Sequence, residues 1–309
     1  MKTTQASNTA LIVAAGVQML ARDPDYRGLV PKTMSEPGQR LLSASHPHLD
    51  KLIQHGWFHW LIYAAEKMTL PGILLHYVLR KTVIREYVAA SINAGTRQIV
   101  LTGAGYDSLC MELAGQYQGL TLIEIDHPAT QAVKRRALGA TSATPATSTA
   151  FATPIHYIAA ELGRQNLAEV LSSFPVFDPH AKTLFIAEGL LMYLTNKDVC
   201  SLLKQIRDAA ASVSLIFTWM EIQADGRPNF RPPSKVIDFF LAHKAEPFLS
   251  GMPQAQLASF LQQNGFDLQG LKESVAALPS HYMATPAMHP IAGEYICLAE
   301  SPSTHKVSI

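Results

Sequence analysis

The chain has 309 residues, 48% of them apolar and 16% charged, with 25 Lys plus Arg against 24 Asp plus Glu. This near-neutral balance has no charge blocks, so it offers no footprint for nucleic acid and no interaction tail, and the apolar content excludes a disordered chain. Three dispersed cysteines, Cys110, Cys200 and Cys297, form no disulfide framework and point to a reducing, cytoplasmic setting, while the lack of any run of ~20 apolar residues predicts no membrane span.

Residues 1–92 read as helical. The run Ala10–Leu20, interrupted by Gln18 and lacking a cleavage site, reads as an amphipathic helix rather than a leader. Pro37 to Ser45 and Leu49 to Lys67 mix polar and apolar residues without strand alternation. Pro71-Gly72 breaks the chain. Beyond it Leu75, Leu79, Val83 and Tyr87 recur every four residues, widened by Ile84 and Val88, which predicts an apolar helical stripe. Asn93-Ala94-Gly95 ends that helix.

From Arg97 the rhythm changes. QIVLTGAG, TLIEID, PIHYIAAE, TLFIAEG, SLIFTW and EYICLAE are short apolar runs separated by helix-sized segments, the pattern of buried parallel strands in an α/β sheet. Residues 140–150, ATSATPATSTA, carry no charge and no large apolar side chain, and read as a mobile surface insertion. Residues 222–235, IQADGRPNFRPPSK, read as an irregular loop at a strand end, where a lid would sit. The expected architecture is one doubly wound, mostly parallel α/β domain. Residues 1–92 form its N-terminal helical cap, 93–309 hold the binding site, and the QIVLT strand lies at the centre.

Three strand ends carry the chemistry. After QIVLT, Gly103-Ala104-Gly105 turns the chain, with Asp107 placed to cap the next helix; glycine there lets a ligand approach the backbone. A dinucleotide fingerprint wants a third glycine at position 108, which is Ser, so pyrophosphate binding is disfavoured. TLIEID ends at Asp126, about 20 residues past the turn, where an acid can accept the hydroxyls of a nucleoside ribose. The competing reading of Asp126 is a helix N-cap ahead of Pro128. TLFIAEG ends at Glu188, which faces the ligand crevice of an open α/β sheet and can hold a cationic group; the competing reading is a solvated Glu.

Together GAGYD, EIDHP and AEGLLMYL resemble the leucine carboxyl methyltransferase family, and more closely its bacterial branch of S-adenosylmethionine-dependent O-methyltransferases. The resemblance runs from about Thr9 to about Glu221 and more loosely to Glu300. It implies a class I methyltransferase-like fold and S-adenosylmethionine as cofactor. It also implies roles at matching positions: Gly103 and Gly105 at the cofactor turn, Asp126 on the ribose and Glu188 near the methionine moiety. Arg80 matches the arginine on the cofactor's carboxylate, a group a guanidinium grips bidentately, with Lys81 as the neighbouring alternative. The family's Asp-Leu pair beside the adenine appears as Glu161-Leu162. Thr9 stands where eukaryotic members carry a lysine near the active site, which turns the expectation away from a protein carboxyl terminus as substrate.

The expected activity is O-methylation of a small-molecule carboxylate or acidic hydroxyl, such as a polyketide or other secondary metabolite. A carboxylate is already ionised and needs no general base. Tyr193 is the candidate catalytic residue, its hydroxyl orienting the acceptor; the competing reading is a core tyrosine. The acceptor site is expected between the N-terminal helices and the loop after Glu221, with Arg227 and Arg231 as weaker candidates. His55 and His59 have zinc-compatible spacing, but no third ligand accompanies them, so no metal is expected. Cys110, Trp57, Phe58 and Trp60 read as packing. The rival class is a binding protein that keeps the cofactor site as a sensor without turnover.

Overall fold

The computed structural model describes residues 7–139, 147–148, 153–162, 164–231, 247–283 and 289–302. Among the described residues five α-helices precede the first strand: α1 (Asn8–Arg22), α2 (Lys32–Ser45), α3 (Pro47–Leu52), α4 (Gly56–Thr69) and α5 (Ile73–Asn93). The helical stretch Leu49–Lys67 is divided between two helices. The chain turns at Ile53 to His55, and Gly56, a poor helix-interior residue, opens α4 instead of sitting inside it. Helix α5 is the backbone of the N-terminal part. Leu75, Leu79, Val83, Ile84 and Val88 are all buried along it, while Tyr87 is only partly so.

The sheet comprises β1 (Gln98–Thr102), β2 (Thr121–Asp126), β3 (Thr147–Ser148), β4 (Ile155–Ala159), β5 (Lys182–Ala187), β6 (Ser212–Met220), β7 (Asp267–Glu273) and β8 (Glu294–Glu300). Their order is β3-β4-β2-β1-β5-β6-β8-β7. Strand β1 is central. Its neighbours β2 and β5 are both parallel to it, and the connections leave it in opposite directions, which puts the end of β1 at the topological switch point. Between the strands lie α6 (Leu109–Gln116), α7 (Pro128–Ala137), α8 (Leu167–Ser172), α9 (Asn196–Ala209) and α10 (Gln254–Gln263). One apolar cluster joins one face of the sheet to α8, α9 and α10; another joins the opposite face to α5 and α6.

Two sheet details depart from the sequence reading. EYICLAE forms β8, but it runs antiparallel to both β6 and β7. A strand covered on both faces reads as a continuous apolar run in either direction, so composition does not report orientation. Strand β7, DLQGLKE, is an edge strand with no buried residue, and its polar sequence carries no strand signal. The stretch 140–150 lies outside the described residues apart from Thr147–Ser148, which pair with β4. No described helix is long and apolar enough to cross a membrane.

Candidate active site

The site grows from the end of β1. Gly103 and Gly105 sit at φ 70° and 50°, in the left-handed region where a Cβ is strained. There is also no room: a Cβ on Gly105 would lie 2.9 Å from the Cβ of Ala10 in α1. The turn is held from beneath by Lys134 of α7. Fully buried, it lies 2.6 Å from the Glu124 carboxylate and donates to the Asp107 carbonyl at 2.6 Å. Asp107 does not occupy the N-cap of α6, which is Ser108; its Oδ1 accepts from the Leu109 N–H at 2.8 Å, and its other oxygen pairs with Lys81.

Asp126, at the end of β2, accepts from the N–H of Gly105 and from that of His127, each at 2.6 Å. The N-cap of α7 is His127, so Asp126 is not the cap but the tie between β2 and the glycine turn. Burial raises its pKa above the ordinary carboxylate value, against the pull of those two N–H groups.

Helix α5 supplies the charged end. Arg80, buried, reaches Glu188 at 2.8 Å on one side and Glu294, at the start of β8, at 2.9 Å on the other. His76, one turn earlier, contacts Glu294 at 2.6 Å and Ser274 at 2.8 Å. Lys81 meets Glu188 at 3.0 Å, and Arg85 pairs with Glu112 at 2.5 Å. Burial alone would raise the Glu294 pKa, but Arg80 and His76 outweigh it and hold that carboxyl at about 2. Burial likewise opposes the Arg80 charge, and Glu294 and Glu188 more than restore it, so its pKa is raised.

These elements enclose one cavity of about 550 Å³ at the carboxyl ends of β1, β2 and β5, within the size range of small-molecule sites. Arg80, Lys81, Gly103, Gly105, Asp126, Glu161, Leu162, Glu188, Tyr193 and Thr9 all line it. Glu161 bonds Arg164 at 2.9 Å and lies 3.7 Å from His127. Tyr193 packs against Phe248 with ring centroids 5.7 Å apart.

Several functional candidates were not legible in the sequence. Glu66, Tyr77, Phe230, Phe248 and Glu294 also line the cavity. The one available signal was Glu294, a carboxylate opening an apolar strand. The remaining candidates lie outside this cavity. Arg231 is tied to Glu221 and Glu273 outside the cavity. Trp57 and Trp60 are 60% and 72% exposed rather than packed. The His59 ring bonds the Ile53 carbonyl, and among the described residues no cluster could hold a metal. Cys110 is buried, as packing requires.

A mostly parallel sheet whose strand β8 runs antiparallel between β6 and β7, with the glycine turn at its switch point, has the class I methyltransferase fold. A Thermobifida fusca structure described as a "putative methyltransferase" shares it, with a TM-score of 0.56 at 15% identity over 85% of this chain and 94% of that one. The leucine carboxyl methyltransferase family model matches residues 7–207, and the chain belongs to that family. A Mycobacterium avium protein named "Putative S-adenosyl-L-methionine-dependent methyltransferase" is 30% identical over 210 residues, 68% of this chain and 65% of its own length. The match thus spans just under two thirds of that relative. A Mycobacteroides abscessus protein of the same name is 27% identical over 274 residues, 85% of this chain and 80% of its own.

Proposed function

We propose that this protein is an S-adenosylmethionine-dependent O-methyltransferase acting on a small molecule, a carboxylate or an acidic hydroxyl, with residues 1–92 as the cap over its site. The carrying observation is the convergence of Arg80, Glu188, Gly103 and Asp126 on one cavity at the switch point. The donor set fits the cofactor. Arg80 suits a carboxylate, Glu188 an ammonium, the positive-φ glycine turn a close backbone approach, and Asp126 a ribose diol. Glu161 and Leu162 suit the edge and face of an adenine.

S-adenosylmethionine, when bound, supplies a methyl group on a sulfonium. The protein's part is positioning. Arg80, stiffened by Glu294 and His76, fixes one end of the ligand; Asp126, stiffened by two backbone N–H groups, fixes the ribose. Holding donor and acceptor in line converts an encounter into a near-unimolecular step, and much of a displacement barrier can be removed that way. Tyr193 orients the acceptor and, with Phe248, closes its side of the cavity to water.

Calorimetric titration with S-adenosylmethionine and, separately, NAD tests the cofactor: binding is expected for the first and none for the second, and the reverse result removes this reading. Turnover of methyl-labelled cofactor against a metabolite panel then separates an enzyme from a sensor.

A further inference from the structure

We propose that the acceptor end of the cavity takes an uncharged, largely apolar molecule through its hydroxyl group and excludes free carboxylates, with Glu66 setting that choice. This rests on the cofactor reading above and narrows its acceptor to one of the two classes.

The charges of the wall decide it. Among the described lining residues stand the carboxylates of Glu66, Asp107, Asp126, Glu161, Glu188 and Glu294, against the cations Arg80, Lys81 and Arg164. Each of these cations already has a carboxylate partner: Arg80 has Glu188 and Glu294, Lys81 has Asp107 and Glu188, Arg164 has Glu161. The excess is negative. It suits a sulfonium ligand and, away from the Arg80 end, repels an anionic acceptor.

Glu66 stands apart from the cofactor cluster. It comes from α4 and accepts the Leu74 N–H at 3.0 Å, at the start of α5. From there to Arg80 is six residues, ~9 Å along the helix. Around that end the cavity is lined by Ile62, Leu70, Tyr77, Phe230 and Phe248. A hydroxyl can donate a hydrogen bond to the Glu66 carboxylate. A carboxylate brings only lone pairs to it. Like charges brought about 4 Å apart near a protein surface repel more strongly than one hydrogen bond attracts. Burial raises the Glu66 pKa, against the pull of the Leu74 N–H and the N–H groups of Gly72 and Ile73.

The test uses the full chain saturated with S-adenosylhomocysteine, then titrated with 2-naphthol and 2-naphthoate, an apolar pair differing in the hydroxyl and the carboxylate. Failure of S-adenosylhomocysteine to bind would strike the cofactor reading alone and is seen first. At neutral pH 2-naphthol is expected to bind, with 2-naphthoate weaker by at least about 10-fold. Glu66→Gln should close most of that gap. Should that variant not fold, wild type alone decides: acidification that protonates both Glu66 and 2-naphthoate should raise the affinity of 2-naphthoate relative to that of 2-naphthol and close the gap. Equal or tighter 2-naphthoate binding at neutral pH, binding of neither probe, or a gap unmoved by both Glu66→Gln and acid overturns the proposal.

Discussion

Asp126 does two things at once. Its carboxylate fixes the glycine turn through Gly105 and its own strand end through His127, and it faces the cavity. Asp126→Ala is expected to weaken S-adenosylmethionine binding by roughly 1.5–3 kcal/mol, the range for hydrogen bonds to a charged group, or about 10–150-fold in Kd. Calorimetry reads the loss, and a melting curve checks that the turn survives; an unchanged titration in a folded variant takes Asp126 out of the site. Arg80 makes a sharper case. Arg80→Lys keeps the charge but loses the planar fork that now spans Glu188 and Glu294. Binding should fall, and wild-type affinity in that variant excludes bidentate pairing. Gly103, Asp126 and Glu188 were legible because each ends an apolar run, where an open α/β sheet collects its ligands. Glu294 was marked only as a carboxylate opening an apolar run, and His76 and Glu66 were not marked at all. Glu294 meets Arg80 across 214 residues of chain and His76 across 218, and no local pattern encodes such a meeting.

At the scale of elements, α4 and α5 differ in kind. Helix α5 buries residues along its length, from Ile73 to Ile92. Helix α4 has no fully buried residue, and Trp57, Trp60, Leu61 and Met68 are exposed along it. Its inner side meets the cavity through Ile62, Ala65, Glu66 and Thr69, while half-buried Ile62 and Tyr63 also pack against the core cluster of α1 and α5. Few buried apolar contacts mean a low free energy of local opening. Amide hydrogen exchange is expected to be fast in α4 and slow in α5, and ligand binding should slow α4 selectively. Uniform protection of the two helices would count against α4 as a movable wall of the site. The same contrast explains what the sequence showed of the elements. Segments buried over most of their surface, such as α5 and the central strands, print an apolar stripe or run. Segments half in water, such as β7 and α4, print only a polar or mixed sequence, and strand direction prints nothing at all.

For the whole molecule, the buried charge of Glu294 ties stability to pH. Its folded pKa is about 2, below the ordinary value of 4.5. A depressed carboxyl contributes stability that is fully present above the unfolded pKa and is lost as pH falls through the folded one. The window therefore runs from about pH 5 down to about pH 2, and the shift corresponds to something on the order of 3 kcal/mol. Glu66, Glu124 and Asp126 pull the other way: burial raises their pKa values, so each favours the folded state as pH falls toward the acid range. The acid limb of the intact protein is the sum of these opposed contributions, and its midpoint alone assigns nothing. Glu294→Gln separates them. It keeps the shape and the oxygen facing Arg80 while removing the titrating charge. Urea midpoints of the two proteins, followed from neutral to acid, should differ most near neutrality and converge as pH approaches about 2. A difference that stays constant with pH would mean that the Glu294 charge is not what holds Arg80, and the charged end of the site would then rest on Glu188 alone.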